Sequence, residues 1–422
     1  MKTHTIKTEF GNMIVDWEER ISPERLRTER LEKAKAALKK SKADALLIMR
    51  LDDVRYVTGS RSHLGPTPWL GLAAVFLPKD GEPVLFTMDA EHAKARMPWI
   101  PKENIRPLVH GIIEGNPDAI RAWAEANKDL FSKVANGVLG LDICTPGMYN
   151  ALKSVFPHME IIYGEPILME AKKIKTRDEI ECLKIVCAIT EAGFEAGLEV
   201  LKPGVRECEV LAEIWRAMTR LGSEWTQCSN IVCSGPYTAP YRRFTSDRII
   251  RTGDLVIIDV GGCFNGYWGD YTRVYVCGDV YPTKEQIMLH QDCYDALFAA
   301  TEKCKPGATT ADVYQALIPK HDPERLSIGH GSGLNPWEEP FFTKASLDFP
   351  ETLQPGMYFS LEPYSGIPDV GGIRLENNVL VTEDGPEVIS TLPFDDRLLE
   401  RTHPLDKTTG RKIRYPILKH NL

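Results

Sequence analysis

An internal repeat in the second half of the chain is the strongest constraint on its fold. A Lys-Pro-Gly turn follows a helical stretch at residues 201–204 and again at residues 304–307, 103 positions later. Asp259 and Glu362, which each follow a run of apolar residues, are also 103 positions apart. A second pair of acidic residues is separated by 106 positions. Chance recurrence of the turn does not explain three similar offsets. The sequence therefore predicts two similar half-domains that face each other and bring four carboxylates together.

Five side chains of metal-binding type stand in strand-like or glycine-rich settings of this repeat. Asp259 ends the run LVIID, and Asp270 lies on the return strand of the same hairpin. His330 lies between glycines in SIGHGSGL, Glu362 follows MYFSL, and Glu376 lies in GGIRLENNVLV. A buried carboxylate is unfavourable unless it is paired or bound to a metal. Four carboxylates and one imidazole suit two divalent ions that share bridging carboxylates.

The length of 422 residues favours two domains. We predict a small α/β domain in residues 1–167 and a second domain, which contains the repeat, in residues 168–422. The first domain should begin with a helix that Ser22 caps and that runs to about Ser41. Its predicted strands are Ala45–Met49, Leu72–Leu77, Pro83–Met88, Val138–Asp142 and Glu160–Tyr163.

Composition excludes several classes of partner. The net charge of −8 and the isoelectric point near 5.8 argue against nucleic acid and anionic membranes as partners, because both attract a basic surface. The chain has no run of about 18 apolar residues and no signal-like N-terminal segment. The ten cysteines form no C-x-x-C pair, which favours buried reduced thiols. We therefore expect cytoplasmic residence and a small-molecule substrate.

The segments that surround the five residues resemble those of a known superfamily. GDLVIIDVGG, NGYWGDYTR, GHGSGL, PGMYFSLEP and GGIRLENNVLVTEDG are closely similar to the metal-binding segments of the creatinase/prolidase/methionine-aminopeptidase superfamily. The resemblance extends over residues 172–395. It implies an α/β N-terminal domain followed by a duplicated α+β domain of the pita-bread type, which carries the metal site.

The resemblance also implies a role for each ligand. Asp259 would bind one ion, His330 and Glu362 would bind the other, and Asp270 and Glu376 would bridge both. The ions would be two of Mn, Fe, Co or Zn. Arg374 matches the superfamily pattern as well, and we expect it to orient a carboxylate through a charge-assisted hydrogen bond.

Two histidines of the superfamily's peptidases are missing. One precedes the first metal strand by about a dozen residues, and here Tyr241 or Arg242 stands at that place. The other follows the ligand histidine by seven residues, and here Trp337 stands there. In the peptidases, these histidines shape the substrate pocket and stabilise the tetrahedral species. We expect Tyr241, Arg242 and Trp337 to contact the substrate instead. A solvated loop is an equally good interpretation of the cluster Tyr241–Arg243.

These features predict a dinuclear metal-dependent hydrolase of a small amide or other C–N bond, with Glu362 as the ligand that also takes up a proton. Two other enzymatic functions stay open. One is a metal-dependent lyase of the dimethylsulfoniopropionate type, since GSEWTQCSNIVCSGPYTAPY resembles those lyases, although Pro336 stands where they carry an acidic base. The other is an Xaa-Pro dipeptidase or aminopeptidase with an altered pocket. A non-catalytic binder that keeps the site for stability is a further alternative.

The N-terminal domain carries a loop, Gly59–Trp69, that resembles loops which cover a neighbouring subunit's site in this superfamily. We therefore expect a homodimer.

Overall fold

The computed structural model describes residues 5–7, 12–14, 20–61, 73–108, 116–225, 230–241, 243–322 and 326–408. The chain divides into two compact units, Ser22–Lys172 and a larger unit that combines Met1–Ile21 with Lys173–Leu422. This division differs from the predicted boundary after residue 167. The N-terminal strands β1 (Thr5–Lys7) and β2 (Asn12–Ile14) pair with each other, and β2 lies against a helix of the larger unit.

The unit Ser22–Lys172 is a mixed α/β structure around one sheet. Its helices are α1 (Pro23–Lys40), α2 (Leu51–Thr58), α3 (Ala90–Arg96), α4 (Pro117–Ala126), α5 (Lys128–Phe131), α6 (Pro146–Val155) and α7 (Glu165–Lys173). Its strands are β3 (Ala45–Ile48), β4 (Ala73–Pro78), β5 (Val84–Thr87), β6 (Ile105–Pro107), β7 (Val138–Leu141) and β8 (Glu160–Tyr163), in the order β6-β5-β4-β3-β7-β8. The bounds of helix α1 and of strands β3, β4, β5, β7 and β8 lie within one or two residues of the predicted ones, and Leu72 lies outside the described residues. Strand β6 was not predicted.

Sequence signals explain the edges and the core of this unit. The hydroxyl of Ser22 accepts a hydrogen bond from the backbone N–H of Arg25, as expected of an N-terminal cap. Strands β3 and β4 are buried along their whole length, which is typical of a sheet covered on both faces. Phe76, Trp123 and Phe131 pack edge to face in the core.

The larger unit is built from helices and several antiparallel sheets. Its helices are α8 (Arg177–Val200), α9 (Glu207–Arg220), α10 (Lys284–Lys303) and α11 (Thr310–Ala316). Its further strands are β9 (Asn230–Ser234), β10 (Leu255–Val260), β11 (Cys263–Phe264), β12 (Tyr267–Trp268), β13 (Tyr271–Val276), β14 (Ile328–Gly331), β15 (Glu338–Phe342), β16 (Tyr358–Glu362), β17 (Tyr364–Ile367), β18 (Gly371–Arg374), β19 (Asn377–Thr382) and β20 (Gly385–Val388). The larger sheets have the orders β13-β10-β9 and β15-β14-β16-β19-β20.

The backbone confirms the predicted duplication. Each half has two helices joined by the Lys-Pro-Gly turn and followed by one of the larger sheets. The turn glycines adopt the same left-handed conformation, with φ of 97° at Gly204 and 87° at Gly307. The N–H of Gly204 donates to the carbonyl of Ile250, and the N–H of Gly307 donates to the carbonyl of Leu353. Both donor and acceptor are therefore displaced by 103 positions between the halves.

No helix in the described part of the chain is long and apolar enough to cross a membrane. Most of the cysteines that the structure describes are buried.

Candidate metal centre

Three of the five predicted ligands form one tight cluster. Oxygen atoms of Asp259, Asp270 and Glu376 all lie within 4.8 Å of one another, and the three residues are buried. Asp259 lies on β10, and Asp270 directly precedes β13, its antiparallel partner. Glu376 lies in the break between β18 and β19 rather than on a continuous strand. The cluster thus joins carboxylates from both halves of the repeat.

The other two predicted ligands complete the group. His330 lies on β14 and Glu362 ends β16, and these strands pair in antiparallel register. The Nε2 atom of His330 lies 3.0 Å from Oε1 of Glu362 and 3.6 Å from Oδ2 of Asp270. The structure therefore brings all five predicted residues together, as the spacing of the repeat predicts.

Glycine is required beside the imidazole. At Gly331, which follows His330, an added Cβ would lie 2.4 Å from the carbonyl oxygen of Glu339. Any larger residue would push β14 away from β15 and displace the ligand. The glycines that flank His330 in the sequence thus indicate close backbone approach, as expected.

Two polar side chains that sequence reasoning missed hold the carboxylate of Glu376 and the backbone of Asp270. The hydroxyl of Thr272 donates to Oε2 of Glu376 at 2.8 Å, and the amide of Asn378 donates to the carbonyl of Asp270 at 2.7 Å. Thr272 is two residues after Asp270, and Asn378 is two residues after Glu376. This alternation along a strand is the signal that would have identified them.

Arg374 fulfils its predicted role. Its guanidinium donates to Oε2 of Glu362, and its Nε atom lies 3.9 Å from Oδ2 of Asp259. A second nitrogen donates to the carbonyl of Leu326 at 3.2 Å. The buried arginine therefore fixes one ligand directly and lies close to another.

The electrostatics show a surplus of buried negative charge. Burial, followed by the charges of the neighbouring carboxylates, holds the pKa of Glu376 well above its ordinary value. Burial alone would raise the pKa of Glu362, but the positive charges of Arg374 and His330 lower it to about 2. Burial would lower the pKa of His330, but contact with Glu362 and the charge of Asp270 raise it to about 9.

This donor set fits divalent cations. The Oε1 atom of Glu376 is buried and has no hydrogen-bond partner in the described part of the chain. A carboxyl oxygen that is buried beside other carboxylates without a donor must take up a proton or contact a cation. The low pKa of Glu362 favours the deprotonated form that a metal ligand needs, whereas the raised pKa of His330 means that its imidazole must lose a proton before it can bind an ion.

Two of the residues predicted to contact substrate lie against metal ligands. The hydroxyl of Tyr241 donates to Oδ2 of Asp259 at 2.8 Å, and only 6% of Tyr241 is exposed. Trp337 stacks on His330, with 4.7 Å between the ring centroids and 12° between the planes. About half of Trp337 (48%) is exposed. Arg242 lies outside the described residues.

Arg243, the last member of the predicted aromatic and basic cluster, is held by a buried carboxylate. Its guanidinium donates to both oxygens of Glu207, at 2.6 and 2.9 Å. Glu207 also accepts hydrogen bonds from Ser234 and Ser246. Glu207 precedes Arg243 by 36 positions, at the start of α9, and the sequence pattern gave no sign of this pair.

Models of two protein families match the chain. Metallopeptidase family M24 matches residues 181–383, and the Creatinase/Prolidase N-terminal domain matches residues 30–172. The chain belongs to the creatinase/prolidase superfamily of M24 metallopeptidases. It is a metal-dependent hydrolase with two divalent metal ions as cofactors, and the predicted fold class is confirmed.

Individual relatives agree with this assignment. The chain is 34% identical to the Xaa-Pro dipeptidase of Pyrococcus furiosus over 228 residues, which cover 52% of this chain and 64% of that protein. It is 28% identical over 375 residues to the uncharacterized peptidase YqhT of Bacillus subtilis, covering 86% of this chain and 98% of that protein. The solved Xaa-Pro dipeptidase from Bacillus anthracis aligns with a TM-score of 0.70 and 25% identity, covering 87% of this chain and 99% of that one.

Proposed function

We propose that this hydrolase acts on a small amide or other C–N bond and is not a typical Xaa-Pro dipeptidase. Its site residues would be the five ligands Asp259, Asp270, His330, Glu362 and Glu376. The observation that carries the proposal is that a tyrosine and a tryptophan stand beside the ligands at the two positions where the peptidases carry histidine. Tyr241 donates a hydrogen bond to Asp259, and Trp337 stacks on His330, so neither position presents an imidazole to a substrate.

The other histidines that the structure describes in the larger unit pack against or contact residues other than the five predicted ligands. His321 contacts Asp292 at 2.9 Å, and His403 stacks on Phe298. His290 is buried among aromatic rings. Within the described residues, His330 is thus the imidazole that reaches the carboxylate cluster, and it is one of the predicted ligands.

In this proposal, some residues of the site would hold the cations and others would contact the substrate. Bound divalent ions supply a water of lowered pKa and polarise the bond to be cleaved. Arg374 keeps Glu362 charged and oriented. The exposed part of Trp337 offers an aromatic surface beside the ligands, which suits an apolar or cationic group of a small molecule. Glu362 as proton acceptor and Arg242 as substrate contact stay predictions.

A substrate panel tests the proposal. Purified, metal-loaded protein is assayed against Xaa-Pro dipeptides, N-acyl amino acids, guanidino acids and sulfonium zwitterions, with identification of products. We expect cleavage of a non-peptide C–N bond with release of an amine, and weak or no turnover of Xaa-Pro dipeptides. Turnover of Xaa-Pro dipeptides at tens per second would contradict the proposal, and formation of an alkene would show the lyase.

The second candidate is an Xaa-Pro dipeptidase with an altered pocket, which the names of the Pyrococcus and Bacillus anthracis relatives favour. A matched pair of variants separates the candidates. Trp337→His restores an imidazole, and removal of one such donor typically changes rates on the order of a hundredfold to a thousandfold. We expect Xaa-Pro activity to rise in Trp337→His and not in Trp337→Phe. High wild-type activity that falls in Trp337→His would support the dipeptidase.

We further propose a cytoplasmic homodimer. The loop Gly59–Trp69 that motivates the dimer lies mostly outside the described residues, which end at residue 61 and resume at residue 73. Light scattering at micromolar concentration should give about twice the chain mass of 47.4 kDa, and a mass near that of one chain would contradict the dimer. Fractionation of the source cells tests the location.

A further inference from the structure

Two stacked tyrosines next to the metal centre have different hydrogen-bond partners. The rings of Tyr241 and Tyr364 are nearly parallel, with 21° between the planes and 5.8 Å between the centroids. The hydroxyl of Tyr241 donates to Oδ2 of Asp259, whereas that of Tyr364 donates to the backbone carbonyl of Thr238. One ring of the stack therefore touches a predicted metal ligand through its hydroxyl, and the other is held by backbone.

We propose that Tyr241 is a positioning residue for Asp259 that sets the affinity of the metal centre for one of its two ions. The inference rests on the proposed ligand set. It replaces the expectation that Tyr241 contacts substrate, since the residue is almost fully buried and its hydroxyl is already donated to a carboxylate. A buried donor in this position acts on substrate only through the ligand that it holds.

The surroundings of Tyr241 explain how it fixes the carboxylate. Its ring has Tyr364 on one side, and the guanidinium carbon of Arg374 lies 5.3 Å from the ring centroid. A ring confined in this way has little rotational freedom, so its hydroxyl stays aimed at Oδ2 of Asp259. The hydrogen bond restricts the rotation of the Asp259 carboxylate before any ion arrives. Partners that orient ligands in this way typically change metal affinity tenfold to a hundredfold.

Arg374 does not substitute for this contact. Its Nε atom is 3.9 Å from Oδ2 of Asp259, beyond hydrogen-bond distance, and its guanidinium donates to Glu362. Loss of the Tyr241 hydroxyl would leave a buried carboxylate oxygen without that donor. The effect should fall on the ion that Asp259 binds and spare the ion that His330 binds.

The test compares Tyr241→Phe with Tyr364→Phe by calorimetric titration of metal-free protein with Mn²⁺. Each variant loses one hydroxyl and keeps both rings of the stack. We expect Tyr241→Phe to weaken one of two binding steps by about tenfold to a hundredfold. Tyr364→Phe should bind both ions as the wild type does. Equal binding by Tyr241→Phe and wild type would overturn the positioning role, and so would equal weakening by the two variants.

A second comparison shows whether Tyr241 acts through Asp259. In an Asp259→Ala background, Tyr241→Phe should leave the affinity of the remaining ion unchanged, because the residue that it positions is absent. A further loss of affinity for the remaining ion in this background would overturn the proposal. Wild-type protein that binds no Mn²⁺ would overturn the metal centre itself, whereas normal wild-type binding with an unchanged Tyr241→Phe would overturn only the role of Tyr241.

Discussion

The two units of the protein each bury a triad of carboxylates, and the triads are neutralised in different ways. The N-terminal triad consists of Asp53, Asp142 and Glu165, and the C-terminal triad consists of Asp259, Asp270 and Glu376. In each triad the carboxylate oxygens lie within 4.8 Å of one another, and all six residues are buried. By residue type and spacing alone, either triad fits a cation.

The N-terminal triad contains its own cation. The ammonium group of Lys172, itself buried, lies 2.7 Å from Asp53 and 3.9 Å from Glu165. Asp142 accepts hydrogen bonds from the backbone N–H groups of Met49, Arg50 and Ile143. Lys172 and these backbone groups therefore balance part of the triad's negative charge, while Oδ2 of Asp53 and Oε2 of Glu165 have no hydrogen-bond partner in the described part of the chain.

The C-terminal triad has no lysine among the ion pairs of its described residues. Its cationic neighbours are Arg374, whose Nε atom is 3.9 Å from Asp259, and the His330 imidazole, whose Nε2 atom is 3.6 Å from Asp270. Both also contact Glu362, so they serve a fourth carboxylate as well. Among the described residues, the two triads thus differ in the cation beside them, which is an ammonium group in one and a guanidinium and an imidazole shared with Glu362 in the other.

The largest expected effect follows from removing a bridging carboxylate. Asp270→Ala should lose most of both ions, because this residue is predicted to contact both. Glu165→Gln removes a carboxylate charge from the N-terminal triad and should keep two ions per chain. Elemental analysis of protein purified without chelator measures both. Wild-type protein that holds no metal after reconstitution would contradict the C-terminal metal centre, and metal loss in Glu165→Gln would contradict the structural role of the N-terminal triad.

The second effect concerns stability of the N-terminal unit. Lys172→Met removes the cation from a buried ion pair, which typically destabilises a protein by about 3–5 kcal/mol. Lys128→Met serves as the control, since its pair with Glu125 is exposed and such pairs contribute about 0–1 kcal/mol. Urea unfolding measures both changes. Similar small decreases in the free energy of unfolding of the two variants would show that Lys172 is not the counter-charge of the triad.

Added metal should stabilise the protein through the C-terminal triad alone. A ligand at ~100 times its Kd that binds only the folded state raises the free energy of unfolding by about 2.7 kcal/mol. Mn²⁺ should therefore raise the thermal transition of chelator-treated wild type and of Glu165→Gln, but not that of Asp270→Ala. Differential scanning calorimetry with and without Mn²⁺ checks this, and an undiminished shift in Asp270→Ala would contradict it.

The effect that is smallest near neutral pH tests a third way to accommodate a buried ionisable group, which is to keep it neutral. Burial lowers the pKa of His290 from its ordinary 6.5 to about 4. Between pH 6.5 and pH 4, His290 binds a proton in the unfolded chain but not in the folded chain. The free energy of unfolding should therefore fall as the pH drops through this range. His290→Phe should flatten this pH dependence and leave stability near pH 8 little changed. Urea unfolding across this range measures the slope, and an unchanged slope would contradict the prediction.

The sequence predicted which acidic residues and which histidine lie together more reliably than it predicted their hydrogen-bond partners. Asp259 and Glu362 stand out because an acidic residue after an apolar run is unusual, and the offset of 103 linked them. The partner of Tyr241 was not predictable in this way. A hydrogen bond from a phenol to a carboxylate 18 positions away depends on how the loop that carries Tyr241 packs against strand β10, which periodicity does not encode.

The same limit explains Arg243. An arginine beside aromatic residues in a loop suggested a contact to substrate, but Glu207 at the start of a distant helix neutralises it inside the protein. Strand bounds were predictable because they depend on neighbouring residues along the chain. Ion pairs between distant elements depend on tertiary packing, and a single sequence shows only the separate partners.

The repeat with an offset of 103 has a consequence for the order of events in folding. Asp259 and Asp270 come from the first half, and His330, Glu362 and Glu376 come from the second, so the ions would cross-link two segments of the chain. Either half alone holds an incomplete set of ligands. An ion therefore gains its full affinity only after the halves have docked and the intervening loops have closed. Metal uptake would be a late step of folding, and a slow one if docking is slow.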